Sequence, residues 1–310
     1  METPKNLNKK RVLISGATGL LGKPITEAFQ KENYEVAWLS RNKSAHHPPG
    51  VNLFFWEPAL GNIDLAAIHW ADVVVNLAGK SIGETPWTRK GKKEILESRI
   101  QSVETLIRAL GHADKKLESF IGVSGAGIYG PGNSPKSELD LPGKGFPASV
   151  AAAWELAYKQ LGRRHTANLC LLRLGIVLST KGGALPKMMK PISWNLGAAI
   201  GSGNQGFNWI HIEDAARAFA EARHWNGVFN LSAPKQVNNR QAMHIIARAM
   251  GKKIWLPRVP TWVLEEFLGD RANLVTEGNY SDTSKIQEQG FHFRFPDLPL
   301  AMEDILKGEK

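Results

Sequence analysis

The chain is nearly devoid of cysteine. Its one example, Cys170, excludes a disulfide framework, and the apolar run Leu169-Cys170-Leu171-Leu172 around it reads as core rather than as the setting of a nucleophile. Long hydrophobic runs are missing as well. No stretch approaches the ~20 apolar residues that a membrane span needs, and the first, Val12-Leu13-Ile14, ends at once in a glycine turn. Metal-ligand spacing is absent, because the histidines are dispersed, the adjacent pair His46-His47 precedes Pro48-Pro49, and a lone cysteine makes no cluster. There is no G-x-x-x-x-G-K-[ST] phosphate loop either. What is present is ordinary globular composition over 310 residues, 43% hydrophobic and 22% charged, which excludes a coiled coil, a collagen or a wholly disordered chain. The expectation is a soluble, cytoplasmic protein.

Acidic residues are outnumbered, 29 against 39 Lys and Arg, for a formal net charge of +10. Such a balance invites a nucleic-acid reading. The basic residues are scattered, however, with local groups only at Lys9-Lys10-Arg11, Arg89-Lys90 with Lys92-Lys93, and Arg163-Arg164, and no aromatic RNA-binding motif accompanies them. Solvated surface charge and an anionic small-ligand site are expected, with a small-molecule substrate, neither nucleic acid nor membrane as partner, and a homodimer as the oligomer to test.

After a polar tail, 1–10, apolar strands are expected at 11–15, 34–40, 52–56, 72–77, 120–124 and 168–178. Runs unrelieved by polar alternation suit strands covered on both faces of a parallel sheet. The longest helical pattern, 88–110, puts Ile95, Leu96, Ile100, Val103, Leu106, Ile107 and Leu110 on one stripe, and an Ala-rich helix follows near 148–163. Alternation at this spacing predicts an α/β fold, a doubly wound parallel sheet of Rossmann type with right-handed crossovers and a smaller, mainly helical C-terminal cap. The dinucleotide-binding part is expected at 11–180, rejoined by about 207–233, and the cap at 181–206 and 234–310. Segments 209–212 and 228–231 are candidates to return strands to the sheet.

Between the first strand and first helix stands Ser15-Gly16-Ala17-Thr18-Gly19-Leu20-Leu21-Gly22. In this G-x-x-G-x-x-G the first glycine permits the tight turn, the second lets backbone approach a pyrophosphate, and the third lets helix pack on strand, with the helix N-terminus facing the anion. The alternative is an ordinary glycine turn. An NAD-preferring site carries an acid about 20 residues further on for the ribose 2′-hydroxyl. Here that stretch is Trp38-Leu39-Ser40-Arg41-Asn42-Lys43, without an acid, so Arg41 and Ser40, with Lys43 as a supplementary charge, favour the 2′-phosphate of NADP(H). The fourth strand ends in Asn76-Leu77-Ala78-Gly79, whose small residues leave room for a cofactor at the carboxyl edge of the sheet.

Together, these glycine-loop and Asn-Leu-Ala-Gly segments resemble the extended short-chain dehydrogenase/reductases, the group that contains nucleotide-sugar epimerases. Further stretches are similar to one atypical branch, the "epimerase family protein" branch, in which some bacterial members carry a cell-division-inhibitor label. They are Trp87-Thr88, Lys93 to Arg99, Trp154-Glu155, Arg173 to Leu178, Gly182 to Leu185, Gly201-Ser202-Gly203, Trp209 to Ile212 and Glu288 to Pro296. The resemblance runs in order from about residue 11 to 306. It implies NADP(H) contacts on the glycine loop and at Ser40, Arg41, Leu77, Ala78, Glu94, Arg99 and Val177. Arg99 also makes sense by itself, as a guanidinium able to neutralise a pyrophosphate.

The superfamily's proton relay, Tyr-x-x-x-Lys, uses the lysine to lower a phenol pKa from ~10. None of the four tyrosines here has lysine four residues later; Trp38, Asn133, Gly162 and Ser284 occupy those places. Registering Glu155 on the glutamate that follows the motif puts Pro147 at the tyrosine position and Ala151 at the lysine position. Gly125 stands where the superfamily serine sits, which leaves Ser124 as the nearest hydroxyl. Ser124 and His211 are therefore the candidate catalytic residues, against a strand-end cap and a turn-orienting histidine respectively. The expected function is an NADP(H)-binding oxidoreductase/epimerase-like protein acting on an unidentified small molecule. A cofactor-binding regulatory or scaffold protein without turnover is the alternative, and a true nucleotide-sugar epimerase comes third.

Overall fold

A computed structural model describes residues 9–42 and 44–308; residues 1–8 of the expected tail and Lys43 lie outside the described residues. The first half of the chain runs β1 (Arg11–Ser15), α1 (Gly22–Lys31), β2 (Glu35–Ser40), β3 (Val51–Glu57), β4 (Asn62–Ile63), α2 (Leu65–Trp70), β5 (Val73–Asn76), α3 (Arg89–His112), β6 (Leu117–Gly125), β7 (Pro135–Lys136) and α4 (Phe146–Tyr158). Then come β8 (Thr166–Leu174), β9 (Ile176–Leu178), α5 (Leu185–Ser193), β10 (Gly206–Phe207), β11 (Trp209–His211), α6 (Ile212–Glu221), β12 (Gly227–Leu231), β13 (Val237–Asn238) and α7 (Asn239–Ala249). The chain closes with α8 (Thr261–Leu268), α9 (Asn273–Thr276), β14 (Tyr280–Ser281), α10 (Ser284–Glu288) and α11 (Leu298–Lys307).

Eight strands form one sheet in the order β12-β8-β6-β5-β1-β2-β3-β4, parallel except for the β3–β4 pair at the edge. The fold is thus the expected Rossmann-like sheet with a helical C-terminal region. Its central strands are buried because helices cover both faces: Val12, Leu13 and Ile14 of β1 and Val73, Val74 and Val75 of β5 are essentially inaccessible. α4 packs on β6 through Tyr158, whose ring meets Phe120 edge-on at 5.9 Å. That contact places the start of α4 beside the end of β6.

Two expectations fail. The sixth apolar run is not one strand: β8 stays in the large sheet, the chain breaks at Gly175, and β9 leaves to pair with β11 in a separate two-stranded sheet. A Cβ at position 175 would lie 2.9 Å from Asn208 Oδ1 and 3.0 Å from Ser232 Oγ. Only a bare backbone lets the segments approach this closely. Segment 209–212 consequently joins β9 rather than returning to the main sheet, whereas 228–231 does return, as edge strand β12. A second apolar core gathers Leu178, Leu185, Trp209, Met243, Ile246 and Met302, contributed by β9, α5, β11, α7 and α11. No helix among the described residues is long and apolar enough to cross a membrane.

Candidate functional site

At the carboxyl edge of the sheet lies a cleft of about 600 Å³ lined by the glycine loop, the end of β6, the start of α4, the β8–β9 junction and residues 273–279. That volume suits a cofactor with a small ligand. The glycine loop bends as its sequence requires. Gly16 has φ +67°, and a Cβ there would sit 2.8 Å from the carbonyl carbon of Leu77. Gly22, opening α1, has no room for a side chain, since a Cβ would meet the Ala17 carbonyl oxygen at 1.8 Å. Gly16, Gly19, Leu20, Leu21, Leu77, Arg99 and Val177 line the cleft. Ala17 is buried beneath the loop and Thr18 is exposed beside it.

Ser15 and Asn76 end the two central strands, and the Ser15 hydroxyl donates to Asn76 Oδ1 at 2.5 Å. The Asn76 amide donates in turn to Tyr158 at 3.0 Å and to Ser102 at 3.2 Å, tying β1 and β5 to α4 and α3. Burial pushes the Tyr158 phenol far up, so it is a structural donor and acceptor rather than a base. In the β1–β2 register Ser15 stands opposite Leu39, so Ser40 and Arg41 follow beside the loop. Ser40 turns its hydroxyl onto Asn42, donating to that carbonyl at 2.8 Å. Arg41 is exposed and has no carboxylate partner among the described residues, which leaves its guanidinium free for an anion.

Arg99 comes up from α3 through a slot that glycine makes: a Cβ at position 79 would meet its side chain at 3.0 Å. Its guanidinium lies 4.9 Å from the Trp154 ring and donates to the carbonyls of Lys80 and Ile95, both at 2.8 Å. No carboxylate among the described residues pairs with it. Burial lowers its pKa to about 10, leaving it charged at neutral pH and poorly solvated, a setting that favours an anionic ligand. Glu94 does not reach the cleft. It pairs with Lys80, whose hydrogen bond holds its carboxyl below the usual range.

Ser124 is 2% exposed at the end of β6 and lines the cleft. Its hydroxyl donates to Glu155 Oε1 at 2.8 Å. Glu155 is itself gripped by Arg173, whose Nε and Nη2 donate to its two oxygens at 2.8 and 2.9 Å. Burial works against the Arg173 charge, but these bonds outweigh it and raise its pKa. Arg173 Nη1 also donates to the Tyr129 hydroxyl at 2.8 Å, and Tyr129 donates to Asn230 Oδ1 at 2.6 Å. Tyr129 thus faces this buried network instead of the cleft, and burial raises its pKa despite Arg173. Beside Ser124 the wall is Pro147, Val150, Ala151 and Trp154. Pro147 and Ala151 therefore do meet at the site, and neither can move a proton.

His211 is not among the lining residues. Its Nδ1 accepts the Glu213 backbone N–H at 3.1 Å, capping α6, and its ring lies on that of Phe295, tilted by 30° with centroids 3.8 Å apart. The neutral ring's proton must then sit on Nε2, 3.2 Å from Asp304 Oδ2. Donor atoms of His211, Glu213 and Asp304 come within 4.8 Å of one another, but Glu213 pairs with Arg294 and Nδ1 is taken by the cap. The candidate catalytic pair is accordingly split, with one member in the cleft and the other outside its lining, as the N-terminal cap of α6. Asn208, Asn279, Leu274 and Glu277 line the cleft without having been expected. They come from loops and a single-turn helix, where no periodicity flags a site. Asn208 and Asn279 are tied by a 2.9 Å hydrogen bond.

The sequence profile of the NAD dependent epimerase/dehydratase family matches residues 12–232, and that of a domain of unknown function, DUF1731, matches residues 259–305. "Epimerase family protein YfhF" of Bacillus subtilis is 32% identical over 311 residues, spanning 96% of this chain and 99% of that protein. The crystal structure of human epimerase family protein SDR39U1 (isoform 2) with NADPH superposes with a TM-score of 0.83 at 30% identity, over 96% of this chain and 99% of the human one. A nucleoside-diphosphate sugar epimerase from Corynebacterium glutamicum superposes with a TM-score of 0.75 at 25% identity, over 96% of this chain and 58% of its own.

Proposed function

This chain belongs to the NAD dependent epimerase/dehydratase family, and from that premise we propose that it binds NADP(H) in the cleft and acts on a small carbonyl or alcohol substrate without a tyrosine relay. The human relative crystallised with NADPH supports the cofactor, as do the cradle at Gly16 and Gly19 and the guanidinium groups of Arg41 and Arg99, neither of which meets a carboxylate among the described residues. Bound, the nicotinamide supplies or accepts a hydride. Gly19 lets the backbone come up to the pyrophosphate, Arg99 neutralises it, and Arg41 meets the 2′-phosphate.

The observation that carries the reading is the neighbourhood of Ser124. With its proton pointed at Glu155, Ser124 offers lone pairs to the cleft and so accepts a hydrogen bond from the substrate. The apolar wall of Pro147, Val150 and Ala151 beside it excludes water. A screen of alcohols for NADP⁺ reduction tests this, because an alcohol hydroxyl can donate to Ser124 and a carbonyl oxygen cannot. With a substrate in hand, Ser124→Ala is expected to lower kcat/KM by about tenfold, the loss of one hydrogen bond, while Tyr129→Phe and His211→Gln leave it nearly intact. A collapse in Tyr129→Phe alone refutes the assignment. Tight NADPH binding with no oxidation of any candidate refutes turnover and leaves the regulatory or scaffold reading, which the lack of a relay in the cleft favours.

A further inference from the structure

Acids, rather than bases, are unevenly placed in this chain. Residues 156–264 hold 15 Lys and Arg against 3 Asp and Glu, more than the entire net charge of +10. The three acids, Glu213, Asp214 and Glu221, all sit on α6 and are taken up by Arg294 and Arg217. Elsewhere in this stretch, the segment after α5 and the segment before α8 run side by side. The Val259 N–H donates to the Ala199 carbonyl at 2.8 Å, and the Gly201 N–H to the Val259 carbonyl at 2.9 Å.

That pairing brings Trp194 and Leu196 alongside Trp255 and Leu256, with Trp262 opening α8. These five are 44% to 73% exposed, and no residue of α8 is buried. Three bare tryptophans in one region are not ordinary surface. Lys190 and Lys253 stand exposed among them, 5.2 Å from the Trp194 ring and 5.6 Å from that of Trp255, and Lys187 and Arg258 are exposed on the same two segments of chain. Glu265 and Glu266, further along α8, mark the edge of the region.

We infer that this face docks on an anionic lipid bilayer surface. Indole rings suit the headgroup level, where one edge is wet and the rest is apolar, and lysines beside them meet anionic headgroups. Leu196 and Leu256 gain from hydrocarbon and would gain nothing from stacking on nucleobases. A two-fold contact between copies would set the same unpaired cations against each other. Docking on a bilayer departs from the expectation, drawn from the lack of a spanning segment, that no membrane is a partner; a peripheral contact needs no span. Because α8 leads to Asn273, Leu274 and Glu277, docking would hold the cleft mouth near the lipid.

The test mixes the full chain with vesicles of phosphatidylcholine, alone or with phosphatidylglycerol, and follows co-sedimentation and tryptophan emission. Binding is expected only with phosphatidylglycerol, with a blue shift and loss in high salt. Lys190→Glu/Lys253→Glu should weaken partitioning by at least about tenfold, and Trp255→Ser/Trp262→Ser should weaken partitioning and diminish the blue shift. Undiminished NADPH affinity in both variants shows that they fold. Failure to bind any vesicle, or equal binding to neutral ones, overturns the inference. So does a dimer in light scattering that the tryptophan variant dissociates, which would make the face an interface between copies.

Discussion

Replacing Arg173 by methionine keeps most of its volume and removes the charge that holds Glu155, together with the donor to the Tyr129 hydroxyl. The pair is 7% and 8% exposed, with two charge-assisted bonds at 2.8 and 2.9 Å. Stripping one partner strands a carboxylate in the interior, which costs about 3–5 kcal/mol, whereas replacing both with apolar groups is often close to neutral. Arg173→Met is therefore expected to lose about 3–5 kcal/mol, and Arg173→Met/Glu155→Leu to recover at least about 2 kcal/mol of that. Urea unfolding followed by tryptophan emission reads both; with m near 3 kcal/mol/M the single variant's midpoint drops by about 1–1.7 M. The Ser124 hydroxyl keeps its acceptor in the single variant and loses it in the double. Recovery of stability in the double variant should thus come without recovery of function. A single variant within about 1 kcal/mol of the unmutated protein, or a double variant as poor as the sum of its parts, refutes the view of Glu155 as a carboxylate held in the interior by Arg173.

Three further outcomes are expected. Arg41→Ala should cost NADPH about 1.5–3 kcal/mol, or roughly 10–150-fold in Kd, and leave NADH unchanged; equal affinity of the unmutated protein for both cofactors, measured by calorimetry, counts against the role of Arg41. Gly19→Val should abolish cofactor binding with the circular dichroism spectrum intact, whereas Gly16→Val should unfold the loop, because its φ is +67° and its Cβ would lie 2.8 Å from Leu77. His211 has its pKa lowered from 6.5 by burial, with Asp304 opposing, so its neutral form is favoured in the folded state. Its contribution to stability is present above pH 6.5 and lost as pH falls through the depressed value. His211→Asn, which keeps a capping acceptor for the Glu213 N–H, should remove that share of the acid sensitivity in pH-dependent melting.

The elements built from local signals were legible in the sequence. β1, its glycine turn and α1 form a continuous string in which apolar run, Gly spacing and helical period agree, and the long stripe from Ile95 to Leu110 does fall on one helix. What the sequence hid depends on partners far along the chain. The β8–β9 break is a case in point, since Leu169 to Leu178 reads as one apolar run and only Asn208 and Ser232, arriving from elsewhere, make Gly175 a corner. Tyr129 lies close to Ser124 in sequence and suggests a place near the nicotinamide. Its direction is set instead by Arg173 and Asn230, 44 and 101 residues away. His211 was ambiguous for the opposite reason, because a histidine before an acidic first turn looks alike whether it caps or catalyses.

The corner at Gly175 has a mechanical meaning. Leu174, Gly175, Ile176 and Val177 are successive links of one chain, and all four line the cleft. On one side they are anchored in the eight-stranded sheet; on the other, β9 runs into the core shared by α5, α7 and α11. The gap between cofactor side and cap side is spanned here by a covalent strut, so its width is set by bond geometry as well as by packing. A side chain forced in at the corner would act as a wedge, prying open both ends of the strut at once.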